Sequence, residues 1–241
     1  GARPLAPPSA APGLPTLSSL PDQGEHISEP GGIVSGVADY DGRAAEPSDV
    51  SVEPSAEEAI SIDPDYSNRK GYDPDFLGED AKRVPLPQLS DDMRTNAAVN
   101  LQASGSDEHV LPYHHFSVVM NKERKLAYFT AVNIDGNVDR DIEREDDKWF
   151  LDPRIEESEQ TNNVVYTANP LDRGHLVRRL DPAWGDTMQL AKVANDDIFH
   201  FTNCAPQHKD FNRNQTTWAG LEDYILENAN MEDLRVSVFT G

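Results

Sequence analysis

Apolar positions are scattered through the first 60 residues of this 241-residue chain and become periodic only afterwards. Tyr113–Met120 alternates and is rich in aromatic and β-branched residues, which predicts a strand. Lys125–Ile134, carrying Leu126, Tyr128, Phe129, Val132 and Ile134, predicts a second, and Asn121–Arg124 supplies the turn that makes the two a hairpin. Asp135-Gly136-Asn137 is a further turn. Val164–Thr167 reads as a short strand, Trp184–Ala194 as a helix and Ile198–Thr202 as another short strand. Thr217–Ala229 sets Trp218, Leu221, Tyr224, Ile225 and Ala229 three and four apart, the spacing of an amphipathic helix with one buried face. Val236–Phe239 is a β-type run of the kind found inside a sheet. It is followed almost at once by the last residue, Gly241, so the expectation is a domain incomplete at its C-terminus.

Residues 1–60 hold Pro4, Pro7, Pro8, Pro12, Pro15 and Pro21 among Ala, Ser, Gly and acidic residues, which marks an acidic tail or linker. A docking segment for a partner, or a junction to a fused domain, is the alternative reading of the same composition. From Asp63 the texture changes. Gly71–Leu77 and Val84–Pro87 read as an ordered, irregular lead-in laid across the surface of a domain spanning 61–241. The pattern as a whole predicts an α+β fold: a central antiparallel or mixed β-sheet with flanking helices, preceded by a largely irregular tail.

No run approaches 18 apolar residues, so no membrane span is expected. The start lacks both Met and a signal-peptide pattern, as a processed or trimmed chain would, and the compartment stays open between secreted or periplasmic and cytoplasmic. One cysteine, Cys204, excludes an internal disulfide framework and a cysteine-cage zinc site, and is read as a small buried residue. A net charge of −22 argues at first against a nucleic-acid partner, since affinity for phosphates comes largely from Lys and Arg. Distribution matters more: Asn169–Gln215 holds six Asp and six Lys or Arg and is locally neutral.

That neutral segment carries the chemistry. Asp172-Arg173-Gly174-His175 places an acid, a guanidinium, a conformationally free residue and an imidazole in succession. Cleaving a phosphodiester needs a base for water, which an imidazole supplies near neutral pH, and charge stabilisation at phosphorus, which Arg or a divalent ion supplies. Gly174 reads as the residue that permits a backbone turn between Arg and His. Four such residues alone are weak evidence.

The order of the pieces is more specific. Asn169–His175, Phe201-Thr202-Asn203-Cys204-Ala205-Pro206-Gln207, Phe211-Asn212 and Trp218–Tyr224 together resemble the DNA/RNA non-specific endonuclease family, within the ββα-metal or His-Me finger group. The resemblance extends over about residues 63–241 and implies a ββα active-site element acting on DNA and RNA substrates and leaving 5′-phosphates. It implies His175 as general base, Arg173 near the phosphate, Asn203 as a supporting polar residue and Glu222 as the orienter of water around the ion. Arg154, in Asp152-Pro153-Arg154, is the looser match to an upstream transition-state arginine, and Asp172 reads as a structural orienter. The ion is Mg2+, with Mn2+ as substitute, held by one asparagine. Counting from Pro206-Gln207 gives Asn212, and counting back from Trp218 and Glu222 gives Asn214. An inactive or truncated nuclease-fold module that binds nucleic acid or protein is the competing reading. His114, His115, His200 and His208 are taken as structural or rim residues, Trp184 and Trp218 as core, and Arg178-Arg179 as either a phosphate-contacting pair or a solvated face.

Overall fold

The structure, a computed structural model, describes residues 60–241 apart from 104–106, 144–145, 215 and 217. The tail expected over 1–60 therefore lies outside the described residues, except Ile60, which is buried in the core.

Among the described residues the strands are β1 (Val110–Pro112), β2 (Phe116–Asn121), β3 (Leu126–Asp135), β4 (Leu171–His175), β5 (Cys204–His208) and β6 (Arg235–Thr240). The α-helices are α1 (Asp91–Asn96), α2 (Met188–Asp197), α3 (Lys209–Asn212) and α4 (Trp218–Met231). Four strands form an antiparallel sheet in the order β1-β2-β3-β6, and β4 pairs with β5 in a separate antiparallel ribbon. The fold is α+β.

The expected hairpin is β2–β3, with Phe116 opposite Val132 and Asn121 opposite Leu126. Its turn is set by Asn121, whose Oδ1 accepts from the backbone N–H groups of Glu123 and Arg124 at 3.0 Å each. All six residues of β2 are buried because both faces of the strand are covered. Phe116, Val118 and Met120 join Val132 and Ile134 of β3 in the main core, against Tyr113, Phe199 and Leu226. On the other face the lead-in crosses the sheet. Tyr72 N–H donates to Ser117 Oγ (2.9 Å), Asp73 N–H donates to Asn133 Oδ1 (2.7 Å), and the Tyr72 ring meets Phe239 edge-on. Gly71 makes this approach possible: its φ is +78°, and a Cβ there would lie 2.5 Å from Ser117 Oγ.

Several expected elements differ. Val164–Thr167 is not a strand; Asn163–Tyr166 is a 3-10 turn capped by Asn162, whose side chain accepts from Val164 N–H. The strand is the tetrad itself, because β5 gives β4 a partner that the 163–167 segment lacks. Ile198–Thr202 is not a strand either. Phe201–Asn203 is a 3-10 turn, and His200 alone forms an isolated bridge with Phe150. These residues are apolar because they fill the core, and periodicity in so short a run does not separate the two cases.

Helix α2 starts at Met188 rather than near Trp184, since Gly185 has φ +136° and Thr187 caps the helix by accepting from Leu190 N–H. Strand β5 is not foreseen in the sequence. It contains Pro206, which ordinarily demotes a run to an edge, and among the described residues β5 pairs with β4 only. Strand β6 likewise pairs with β3 alone among the described residues, at the edge of the sheet rather than inside it. No helix among the described residues is long and apolar enough to cross a membrane.

Candidate active site

Strands β4 and β5 and helix α3 form a ββα element, with α2 inside the long connection between the strands. His175 lies opposite Cys204 and Gly174 opposite Ala205. Gly174 therefore sits within a strand, and the expected backbone turn is corrected. The Gln207 side chain occupies the space beside it: a Cβ would stand 2.3 Å from its amide carbon, so Gln207 would have to shift.

Asn203 fixes where the chain goes after His175. It is fully buried; Nδ2 donates to the carbonyls of Val177 (2.9 Å) and Ile198 (3.1 Å), and Oδ1 accepts from Val177 N–H (2.8 Å). Leu176 N–H also donates to the Asn203 carbonyl at 3.1 Å. This clamp ties the end of β4 to the end of α2, so Asn203 acts on the site through backbone. The His175 ring is held by aromatic neighbours, with Trp149 at 4.7 Å between centroids and Phe199 edge-on at 5.3 Å.

A cleft of about 730 Å³ opens over this element. His175, Arg173, Asp172, Asn212 and Glu222 all line it, and Trp149 and Tyr166 contribute aromatic wall. Arg173 donates through Nε and Nη2 to Asn163 Oδ1 (3.2 and 2.7 Å) and lies over the Tyr166 ring at 5.2 Å. Among the described residues its hydrogen-bond acceptor is thus a neutral amide. Asp172 accepts from Arg213 at 2.6 and 2.7 Å and from Asn212 Nδ2 at 3.1 Å, and the Arg213 hydrogen bonds hold its carboxyl below the usual range.

Of the two asparagines, Asn212 borders the cleft. With its amide nitrogen given to Asp172, its oxygen is the end suited to a cation. Asn214 Oδ1 instead accepts from Thr216 N–H (2.8 Å) and Oγ1 (2.7 Å). Glu222 closes the opposite wall. Burial pushes its carboxyl up to about 7, the neighbouring Asp181 carboxylate adds to the rise, and Arg178 and the Trp218 indole oppose it. Asp181 is itself driven up to about 7 by burial, against the pull of Arg178.

Arg154 is not brought to this group. Its guanidinium is buried, bonded to Asp152 through Nε and Nη2 (2.7 Å) and to the Pro112 carbonyl (2.6 Å), and packed on the rings of Tyr66 and Tyr113. An Asp two residues before an Arg reads in sequence as a loop tip; here it is a buried pair. Cys204 is buried and donates to the Tyr166 hydroxyl, and burial pushes its thiol up to about 12, so it is inert. His114, His115 and His200 are structural: His114 bonds Asp197, His115 bonds the Pro182 carbonyl and stacks on Trp184, and His200 bonds Tyr66 and the Asp197 carbonyl. The sequence reading missed Trp149 and Asp181. Trp149 follows a charged run that reads as solvated loop, and Asp181 gives no sign of its neighbour 41 residues on.

An uncharacterized protein y4fB from Sinorhizobium fredii (strain NBRC 101917 / NGR234) is 44% identical over 184 residues. The match covers 73% of this chain and 27% of that protein, so this chain spans about a quarter of the relative's length. A chain from a crystal structure of the EndoG/EndoGI complex is 20% identical with a TM-score of 0.46, covering 56% of this chain and 53% of that one. The family model for DNA/RNA non-specific endonucleases matches residues 94–241, a span that takes in the tetrad, Asn203, both candidate asparagines and Glu222. The chain belongs to the DNA/RNA non-specific endonuclease family.

Proposed function

We propose that this domain is a metal-dependent endonuclease that hydrolyses DNA and RNA with little sequence preference. The observation that carries the reading is the shared cleft: a base, a guanidinium, an amide oxygen and a carboxylate from β4, α3 and α4 face one volume. Asn212 would hold Mg2+ or Mn2+. A neutral, hard amide oxygen suits an oxygen-seeking ion that keeps most of its water. Bound there, such an ion supplies charge stabilisation for the developing phosphorane and the departing sugar oxygen.

The protein's own groups do the rest. His175 takes the proton from an attacking water whose oxygen bonds to phosphorus. The P–O3′ bond breaks, the 3′ oxygen leaves and is protonated from solvent, and the product carries a 5′-phosphate. Arg173 exchanges the neutral Asn163 amide for a phosphate oxygen, a stronger, charge-assisted partner for the guanidinium fork. Glu222, ionised, accepts hydrogen bonds from water in the cleft and orients it. Arg154 has no part in this reading, because its fork is committed to Asp152. Contacts to backbone rather than to base edges carry no sequence information.

Plasmid nicking with and without Mg2+, alongside a gel-shift measurement of binding, tests the proposal. His175→Ala is expected to lose about 10²- to 10⁴-fold in rate while binding the plasmid like wild type. Asn212→Ala raises the Mg2+ requirement and Asn214→Ala does not. Full activity in His175→Ala overturns the assignment, and binding without cleavage by wild type in Mg2+ favours a binding module instead.

A further inference from the structure

The sequence leaves Arg178 between two roles, contacting phosphate or decorating a solvated face. The structure shows a third arrangement. Arg178 lies three residues after His175, in a turn closed from both sides: Arg178 N–H donates to Asp181 Oδ2 at 3.2 Å, and Asp181 N–H donates to the Arg178 carbonyl at 3.1 Å. From this anchored position its guanidinium crosses to the second turn of α4. There Nη1 donates to the Glu222 carbonyl (3.4 Å), and Nη2 pairs with the Asp223 carboxylate. Arg179, its neighbour in sequence and, like it, part of the cleft lining, donates to the Ile142 carbonyl at 2.8 Å.

We infer that Arg178 is a positioning residue that braces the His175 strand end against α4 and so sets the Glu222 carboxylate relative to the His175 imidazole. The inference rests on the proposed nuclease reading of His175 and Glu222. Its physical basis is where Arg178 meets α4, at Glu222 itself and at the next residue, while the start of the helix rests on Trp218, whose ring lies 5.8 Å from that of Phe211. Leu226 and Ala229, both beyond the first turn, are its buried residues, while Leu221 is more than half exposed. Between Trp218 and Leu226 the turn that carries Glu222 is fixed by polar ties as well as by the partly buried Ile225. Arg178 supplies two of them, one to backbone and one to a side chain, with their origin clamped by Asp181 and, one and two residues earlier, by the Asn203 contacts to Val177 and Leu176. The Arg178–Asp223 pair is about 30% exposed on each side chain, so its worth lies in geometry more than in Coulomb energy. A guanidinium spent on Asp223 is also a poor phosphate ligand.

The two roles separate experimentally. Arg178→Met, Asp223→Asn and the double variant are compared by steady-state cleavage of a short duplex across a salt series, with Glu222→Gln as control. A brace predicts that both single variants lose about 10- to 100-fold in kcat, as expected for a displaced catalytic group. KM and the salt slope stay unchanged, and the double variant is no worse than the singles. A phosphate contact predicts that Arg178→Met raises KM and flattens the salt slope while Asp223→Asn is neutral or faster, and that result overturns the inference. Normal activity in Glu222→Gln removes the nuclease reading of Glu222 instead, whatever Arg178 does. Hydrogen exchange over Glu222–Leu226 of α4 requires no activity. It accelerates at least tenfold in Arg178→Met if the brace exists, and unchanged protection overturns the brace by itself.

Discussion

The cluster around Asp197 and Asp152 and the cleft around His175 use the same side chains, Arg, Asp and His, to opposite ends. In the cluster Arg69 grips Asp197 through Nε and Nη2 at 2.8–3.1 Å, with both side chains essentially inaccessible, and His114 adds a 2.8 Å contact. Arg154 grips Asp152, whose other partner is the Tyr113 hydroxyl, and the Tyr66 ring lies under both guanidinium groups at 3.9 and 4.4 Å. Burial alone would raise the Asp197 carboxyl, but hydrogen bonds from His114 and Arg69 hold it well below the usual range. In the cleft Arg173 leans on a neutral amide and Glu222 is driven up to about 7. Charges that are matched in a dry interior serve the fold. Charges left on weak partners beside a solvent-filled cleft are available to a substrate.

Arg154 gives the sharpest way to break this contrast. Replacing it with Met leaves the Asp152 carboxylate buried without its cation, which costs about 3–5 kcal/mol. The melting temperature is expected to fall by roughly 10 °C, while nicking per folded molecule at low temperature stays near wild type. Unchanged melting with a collapsed kcat would return Arg154 to catalysis and erase the distinction between the two regions.

Arg173 is the counterpart in the cleft. Arg173→Met should leave stability within about 0.5 kcal/mol of wild type, as for surface positions generally. It should lower kcat/KM by roughly 10- to 100-fold, on the order of 1.4–3 kcal/mol of lost charge-assisted phosphate contact. Arg173→Lys keeps the charge but not the fork and is expected to recover only part of the loss. A stability loss as large as that of Arg154→Met would place Arg173 with the structural arginines.

These two arginines also show what could be read in the chain. The β2–β3 hairpin was legible because its period is strong and its turn chemistry local: Asn121 closes the hairpin with its own side chain. Helix α4 was legible as a helix but not in its buried face: of the expected stripe Ala229 is buried, Leu221 and Tyr224 are more than half exposed, and Leu226 is buried instead. Strand β4 was misplaced by a few residues because pairing with β5 decides it, and β5 with its Pro206 carries little strand signal of its own. The place of Arg173 in the cleft lining agrees with its place in the tetrad. Arg154 was not legible, because burial, the quantity that separates a structural arginine from a reactive one, comes from Tyr66, Tyr113 and Asp152, up to 88 residues away in the chain. Asp181 beside Glu222 escaped for the same reason.

Asp181 lies between the two regimes, buried like the cluster yet without a full cation of its own, and it gives the smallest and most diagnostic effect. Its carboxyl is raised from an ordinary value near 3.8 to about 7. Below pH 4 both folded and unfolded chains hold the proton, and the site costs nothing. Between about pH 4 and 7 the folded protein retains a proton that the unfolded chain releases, so stability falls as pH rises, and above 7 the whole penalty is present. Asp181→Asn keeps an oxygen for Arg178 N–H and cannot ionise. It is expected to match wild type at pH 4 and to exceed it at pH 8, with the gap in melting temperature opening between those two values. The same substitution removes the charge that helps hold Glu222 up, so the acidic limb of the pH–rate profile should move to lower pH. A variant less stable than wild type at every pH, with the acidic limb unmoved, would show that Asp181 is satisfied by Arg178 after all and belongs with the matched charges of the cluster.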